Sequence, residues 1–167
     1  TSLDTTKSDM MVALTTSTTP ISFTQRAEAG IPQERKVVAK PAAAAKVAHP
    51  DKLVGIVFGD GAFGFNGFEY DTLVRLGLPV VGVLGNDGVW NNIRTFHRAM
   101  FPERLVASEL GRRPYHALVA AMGGHGELVE HPADLAPALE RARASGKPSL
   151  VDVHIAETMR MSSNYSQ

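Results

Sequence analysis

Short apolar runs alternate with segments of helical periodicity along most of the chain. The apolar runs are bounded by turn residues and predict buried β-strands; they cover residues 54–58, 80–84, 127–130 and 149–155. The segments of helical spacing or propensity predict helices; they cover residues 41–48, 65–76, 115–122 and 132–144. This alternation is typical of an open, mostly parallel sheet with helices on both faces. We therefore predict an α/β fold, with the first strand covered on both faces.

The first 36 residues differ from the remainder of the chain in their pattern. They hold Ser/Thr clusters and only short apolar runs, such as Met10–Leu14. We predict that residues 1–36 form an irregular or weakly ordered segment. Residues 37–167 predict one globular domain that ends in a polar tail from residue 160 onward.

Charge and cysteine content exclude several classes of function. The 17 acidic and 17 basic residues of this 167-residue chain cancel, so there is no electrostatic case for binding nucleic acid or a membrane surface. The absence of cysteine excludes disulfides and thiolate metal sites, and it agrees with a reducing compartment. No apolar stretch is long enough to span a bilayer and none resembles a signal peptide. We expect a soluble, untargeted, cytoplasmic protein.

Two polar, glycine-containing segments directly follow the first two predicted strands. They read GDG at residues 59–61 and GNDG at residues 85–88. Ligands of parallel sheets bind beyond the carboxyl ends of the strands, and glycines allow the backbone to approach them closely. The carboxylates of Asp60 and Asp87 are hard oxygen ligands of the kind that Mg²⁺ or Ca²⁺ prefers together with substrate phosphates. The pattern indicates a metal-bridged diphosphate site, although GDG alone is also typical of a plain turn.

The spacing of these segments resembles a known cofactor motif. Asp60 and Asp87 are 27 positions apart, and the pair resembles the thiamin diphosphate motif that begins with GDG and ends with NN. The wider stretch GDGAFGFNGFEYDTLVRLGLPVVGVLGNDGVW is similar to the pyrophosphate-binding domain of acetolactate-synthase-like enzymes, which include the 2-hydroxyacyl-CoA lyases and oxalyl-CoA decarboxylases. The similarity covers residues 41–155 and is far more specific than an isolated glycine loop.

The resemblance implies a role for each loop residue. Mg²⁺ would be bound by the side chains of Asp60 and Asp87, the latter in place of the family's usual second Asn, and by the backbone carbonyl of Val89. The implied cofactor-binding residues are Gly59, Asp60, Gly61, Ala62, Asn86, Gly88, Val89 and Trp90. Backbone amides near Gly61 would hold the diphosphate. Asn86 would mainly fix its loop, and Trp90 would lie beside the cofactor or in the core.

Other polar residues have weaker claims to a site. Asn91 and Asn92 form a second NN pair, but Asn92 is 32 positions from Asp60. We predict that both begin the next helix, where Asn92 would be a candidate for substrate contact. None of the histidines has paired metal-ligand spacing; His97 and His125 stay candidates for residues near the active site.

The resemblance also implies a reaction class. Thiamin diphosphate is an electron sink that allows a carbon–carbon bond beside a carbonyl to form or break. The implied function is that of a lyase, carboligase or decarboxylase acting on a small-molecule 2-oxo acid or 2-hydroxyacyl-CoA. The alternative is a non-catalytic remnant or binding module that keeps the fold.

The resemblance implies that this chain alone does not complete an active site. Family members hold the cofactor between this domain and a pyrimidine-binding domain, whose Glu activates the cofactor by acid–base chemistry. We expect that domain on a missing region or a separate subunit, so the catalytic residue of this chain is unknown. We also expect a homo- or hetero-oligomer with an exposed apolar face. Residues 38–40 (Val-Ala-Lys) stand where the family has glycines, and their side chains could obstruct the cofactor.

Overall fold

The chain folds as alternating strands and helices. The structure is a computed structural model that describes residues 10–14 and 39–157. The strands are β1 (Met10–Leu14), β2 (Leu53–Gly59), β3 (Val80–Asn86), β4 (His125–Val129) and β5 (Ser149–His154). The helices are α1 (Ala39–Ala48), α2 (Asp60–Asn66), α3 (Glu69–Arg75), α4 (Asn91–Met100), α5 (Tyr115–Ala121) and α6 (Leu135–Ala144), with a 3₁₀ turn at Pro132–Asp134 before α6.

All five described strands form one parallel sheet in the order β1-β2-β3-β5-β4. The predicted α/β fold with a parallel sheet is confirmed. The prediction of an irregular segment over residues 1–36 is wrong for Met10–Leu14, which pair with residues 53–57 of β2. A five-residue apolar run carries too little local pattern to be assigned, and its pairing with an open strand edge decides its conformation. The other residues of that segment lie outside the described part of the chain.

Apolar cores lie on both faces of the sheet, as predicted. The larger core comprises Ala42, Val54, Ile56, Phe58, Phe63, Tyr70, Leu73, Val80, Leu84, Val119 and Leu150. The smaller core lies under α6 and comprises Val129, Ala138, Ala142 and Val151. The prediction that β2 is covered on both faces is wrong at Val57, which is 40% exposed. On that face α6 packs over β3, β5 and β4 and does not cover β2.

A glycine divides the helix predicted over residues 65–76 into two. The N–H of Gly67 donates to the carbonyl of Phe63 at 2.7 Å and ends α2. A side chain at Gly67 would collide with the Phe63 ring, so only glycine allows this close approach. Because α2 begins at Asp60, immediately after β2, the plain-turn interpretation of GDG is wrong. Asp60 is therefore held at the edge of the sheet by a strand and a helix.

Helix α4 presents an apolar face outside both cores. None of its residues is buried, and Ile93, Phe96 and Met100 are 39%, 62% and 57% exposed. Spacings of three and four residues place these side chains on one side of the helix. The exposed apolar face expected from the sequence is present. Among the residues described, no helix is both long and apolar enough to cross a bilayer.

Candidate cofactor and metal site

The two polar segments lie side by side at the carboxyl edge of the sheet. Gly59, the last residue of β2, pairs in register with Gly85 of β3. Because both strands run in the same direction, Asp60 and Asp87 leave the sheet at the same edge. The parallel pairing therefore brings the two segments together, as the sequence predicts.

Asp60 joins the two segments directly. Its side chain is almost fully buried, at 3% exposure. One carboxylate oxygen, Oδ1, accepts the N–H of Gly61 at 2.7 Å, and the other, Oδ2, accepts the N–H of Gly88 at 2.8 Å. Gly88 has a left-handed backbone (φ = 76°), and a side chain there would lie 3.1 Å from the backbone nitrogen of Arg112. Glycine at this position is what allows its amide to reach Asp60.

The two carboxylates are close enough to influence each other. Burial raises the pKa of Asp60 above its ordinary 3.8, and the negative charge of Asp87 raises it further. The amides of Gly61 and Gly88 oppose this rise in pKa by stabilising the charged form. Asp87 is half-buried; its Oδ1 accepts the N–H of Val89 and its Oδ2 the side-chain amide of Asn91, both at 3.2 Å.

The backbone of Val89 also faces this pair. Val89 forms an isolated antiparallel bridge with Glu109, and the hydrogen bonds of the bridge come from the residues on either side of Val89. The N–H and C=O of Val89 itself point away from the bridged segment. Its N–H donates to Asp87, so its carbonyl is directed toward the same side as the Asp87 carboxylate.

This set of oxygens fits a divalent cation. Within the described residues, neither Asp60 nor Asp87 forms an ion pair with a basic side chain. Two neighbouring carboxylates without a cationic partner repel each other, and a bound cation would relieve that repulsion. In the same part of the chain no group of three or more His, Cys, Asp or Glu side chains could hold a metal. A cation bound by these two carboxylates would need a backbone carbonyl and oxygens of a bound cofactor to complete its coordination.

Asn86 lies below the loop and not at its surface. It is fully buried, and its side-chain amide donates to the carbonyl of Arg113 at 3.1 Å and to Oδ1 of Asp152 at 3.0 Å. Its own Oδ1 is buried without a partner in the described residues. The structure thus shows the loop-fixing contacts predicted for Asn86, and a direct contact with a cofactor stays a prediction.

Trp90 packs over the start of α2. A side chain added at Gly61 would lie 2.5 Å from Cδ1 of the Trp90 indole, and the ring centroids of Trp90 and Phe65 are 5.4 Å apart. Ala62 is half-buried beside Gly61, and Gly59 is exposed. Trp90 therefore lies against the start of α2, is half-buried and belongs to neither core; its contact with a cofactor stays a prediction.

Among the other candidates, one histidine lies far from the site and the rest lie in α4. His125 is the first residue of β4, at the amino edge of the sheet, where its Nε2 contacts Oε1 of Glu127 at 2.7 Å. The prediction that His125 lies near the site is wrong, because His125 begins a parallel strand and therefore lies at the amino edge, opposite the edge that carries Asp60 and Asp87. Asn91 and Asn92 begin α4 as predicted, and Asn92 is exposed. His97 lies in the same helix, with a buried Nδ1 that has no partner in the described residues.

Two residues near the site were not predicted. Asp152 is fully buried at the end of β5 and contacts Asn86. Burial raises the pKa of Tyr115, and the charges of Asp60 and Asp152 raise it further, while the charge of Arg113 opposes the rise. Its ring centroid is 5.0 Å from that of Phe63. Both residues lie inside predicted elements, Asp152 in the strand over residues 149–155 and Tyr115 at the start of the helix over residues 115–122, so no local signal in the sequence marked them as site residues.

Comparisons with known proteins agree with this geometry. Residues 38–153 match the family described as "Thiamine pyrophosphate enzyme, C-terminal TPP binding domain". The acetolactate synthase large subunit IlvG of Mycobacterium tuberculosis is 50% identical over 112 residues, which are 67% of this chain and 20% of that protein. A 2-hydroxyacyl-CoA lyase 2 of Caenorhabditis elegans is 38% identical over 120 residues, which are 68% of this chain and 19% of the relative.

Solved structures share the fold. A thiamine diphosphate-dependent 4-hydroxybenzoylformate decarboxylase of Rhodococcus jostii superposes with a TM-score of 0.64 at 23% identity, covering 69% of this chain and 22% of that one. The chain spans about one fifth of the length of the curated relatives it matches. Because the family match extends over more than half of the chain, this protein belongs to the thiamine pyrophosphate enzymes and corresponds to their C-terminal thiamine pyrophosphate-binding domain.

Proposed function

We propose that this chain is the diphosphate- and Mg²⁺-binding part of an enzyme that forms or breaks carbon–carbon bonds beside a carbonyl group. The observation that carries the proposal is Asp60, whose buried carboxylate accepts amides from both polar segments and lies beside Asp87. The substrate class, 2-oxo acids or 2-hydroxyacyl-CoA, is proposed from the names of the relatives, acetolactate synthase and 2-hydroxyacyl-CoA lyase.

The proposed metal ligands are the carboxylates of Asp60 and Asp87 and the carbonyl of Val89. Mg²⁺ is usually held by one or two carboxylates together with phosphate oxygens of the bound substrate or cofactor. Burial and the neighbouring carboxylate disfavour the charged form of Asp60, and a cation at this position would reverse that effect. Asp60 thus keeps its charge for the metal while its hydrogen bonds fix its orientation.

The proposed cofactor is thiamin diphosphate. When bound, it supplies an electron sink for cleavage or formation of the carbon–carbon bond. The backbone at Gly59, Gly61, Ala62 and Gly88 would line the diphosphate, and Trp90 would cover one side of it. In this arrangement the chain binds and orients the cofactor and excludes water from its anchored end.

Catalysis in this proposal needs a second domain or subunit. The chain spans about one fifth of its relatives, and Phe96, Met100 and Phe101 of the α4 region are more than half exposed. An apolar face of this kind marks a protein contact. We assign it to a pyrimidine-binding domain, in the same or another chain, that supplies the activating Glu in a homo- or hetero-oligomer. The lack of cysteine is in keeping with a cytoplasmic location.

The rival function is that of a non-catalytic remnant or binding module that keeps the fold. Calorimetric titration of the chain with thiamin diphosphate in the presence of Mg²⁺ separates the two. We expect saturable heat that disappears on addition of EDTA and in Asp60→Ala. Asp71→Ala is the matched control, because it removes the same charge from an exposed position where Asp71 pairs with Arg75 at 2.8 Å. Absence of heat with the unmodified chain would refute the proposal and favour the rival.

A turnover assay tests the need for a second domain separately. The chain alone, loaded with Mg²⁺ and thiamin diphosphate, is expected not to convert pyruvate or a 2-hydroxyacyl-CoA. Turnover by the chain alone would contradict the assignment of the activating Glu to another domain, whatever the calorimetry shows.

A further inference from the structure

Asp152 is a buried carboxylate that the proposed chemistry does not use. It lies at the centre of the sheet, on β5, opposite Leu84 of β3, and it is fully excluded from solvent. Burying a charged group is costly unless hydrogen bonds replace its lost hydration. The groups that donate hydrogen bonds to Asp152 therefore show which parts of the structure it holds together.

The donors to Asp152 come from two separate segments. Its Oδ2 accepts the backbone N–H of Tyr115 at 3.1 Å and contacts Nδ1 of His116, also at 3.1 Å. Its Oδ1 accepts the side-chain amide of Asn86 at 3.0 Å. One carboxylate thus joins the first turn of α5 to the end of β3. Both carboxylate oxygens thus act as hydrogen-bond acceptors, one for each segment.

The contact with Asn86 continues into the cofactor loop. Asn86 is also held by Arg113, whose carbonyl accepts the same side-chain amide, and by the N–H of Ile155, which donates to the Asn86 carbonyl at 3.1 Å. The next two residues are Asp87 and Gly88, and the Gly88 amide donates to Asp60. Two hydrogen bonds and the backbone of residues 86–88 between them therefore connect Asp152 through Asn86 to the two proposed metal ligands.

We propose that Asp152 is a positioning residue of the cofactor site. It holds Asn86 and thereby sets where the Asp87 carboxylate and the Gly88 amide meet Asp60. What the loop binds rests on the proposed function, but the placement of the loop by Asp152 does not. An asparagine at position 152 has one acceptor oxygen in place of two, and its NH₂ group would face a donor of Asn86 or of the start of α5, so the side chain turns away from that donor and both contacts weaken.

Hydrogen exchange of individual backbone amides tests the placement without any cofactor. In Asp152→Asn we expect the Gly88 amide and the Tyr115 amide to exchange at least tenfold faster. Ser149→Ala is the matched control. Ser149 is fully buried and lies on the same strand as Asp152, at its first position. Its hydroxyl donates to the carbonyl of Ala142 in α6, away from the loop. This control is expected to lower the melting temperature while leaving the Gly88 amide protected.

A second variant keeps the test valid if Asp152→Asn does not fold. Asn86→Ala removes the link and leaves the α5 contacts of Asp152 in place, so the Gly88 amide should lose protection while the Tyr115 amide keeps it. Unchanged protection of Gly88 in Asn86→Ala, or an equal loss of it in Ser149→Ala, would overturn the proposal.

Cofactor affinity provides the second readout. Fluorescence of Trp90, the single tryptophan of the chain, can follow titration with thiamin diphosphate and Mg²⁺. Asp152→Asn is expected to weaken binding at least tenfold at a temperature where it is folded, and Ser149→Ala is expected to bind normally. Unchanged affinity in Asp152→Asn would overturn the positioning role. If the unmodified chain itself does not bind, the proposed function fails, while hydrogen exchange still decides the role of Asp152.

Discussion

The contact between Gly61 and Trp90 allows a sharp test of the site, because α2 contains a second glycine as an internal control. A methyl group at Gly61 would lie 2.5 Å from Cδ1 and 2.7 Å from Nε1 of the Trp90 indole, whereas one at Gly64 meets nothing within 4 Å. Ordinary carbon–carbon contacts are about 3.5–4.0 Å, so in Gly61→Ala the indole must retreat by about 1 Å. Both substitutions gain helix propensity of about 0.5–1 kcal/mol.

The difference between the two variants therefore isolates the displacement of Trp90. Forcing a side chain away from its rotamer costs about 0.5–1.5 kcal/mol. We expect Gly61→Ala to be less stable than Gly64→Ala by about that amount, a shift of roughly 0.5 M in the midpoint of urea unfolding.

The fluorescence of Trp90 reports the same displacement directly. Its emission maximum is expected to change in Gly61→Ala and to stay the same in Gly64→Ala. Binding of thiamin diphosphate with Mg²⁺ should weaken only in Gly61→Ala. Equal stability and identical emission spectra in the two variants would refute the assigned packing of Trp90 on α2.

Three further predictions concern groups around the site and the core. Burial and the charge of Asp87 raise the pKa of Asp60 in the folded protein. Asp60 therefore contributes fully to the free energy of unfolding below its ordinary pKa of 3.8, and this contribution is lost as the pH rises through its folded pKa. In Asp60→Asn the free energy of unfolding should change less with pH over this range. A side chain at Gly82 would collide with the Tyr70 hydroxyl, so Gly82→Ala should cost about 1–3 kcal/mol of unfolding free energy, and Tyr70→Phe should recover part of it. A side chain at Gly126 would collide with backbone atoms of the helix α5, so Gly126→Ala should destabilise more than Gly82→Ala in the same urea assay.

Each of these predictions has an outcome that contradicts it. For Asp60, the Cγ resonance titrating at or below pH 3.8 without metal would show that burial does not dominate its pKa. For the pair in the core, Tyr70→Phe loses a 3.1 Å hydrogen bond to the Ser149 carbonyl, a cost of about 0.5–1.5 kcal/mol. Strictly additive effects of Gly82→Ala and Tyr70→Phe would argue against the collision. Wild-type stability of Gly126→Ala would argue against the close approach of α5 and β4.

Much of the site could be predicted because its parts lie at strand ends. A parallel sheet places the carboxyl ends of its strands at one edge, so GDG and GNDG had to come together once the alternation of strands and helices was recognised. The pairing of β2 with β3 follows from the tendency of strands that are consecutive in the chain to lie side by side in a sheet. His125 was misjudged because residues at or just before the start of a parallel strand lie at the amino edge of the sheet, opposite the site.

The sequence alone determined three features: the α/β class, the adjacency of Asp60 and Asp87, and the family resemblance. They follow from the pattern of apolar positions and from the spacing of the two motifs. The tertiary structure was needed to decide that Met10–Leu14 joins the sheet and that the Asp152 carboxylate is hydrogen-bonded to Asn86 beneath the loop. The physical reason is that backbone pairing and side-chain hydrogen bonds between segments far apart in sequence leave no local periodicity. In the sequence, Asp152 cannot be distinguished from any other aspartate near the end of a strand, because the residues that contact it are 36, 37 and 66 positions away.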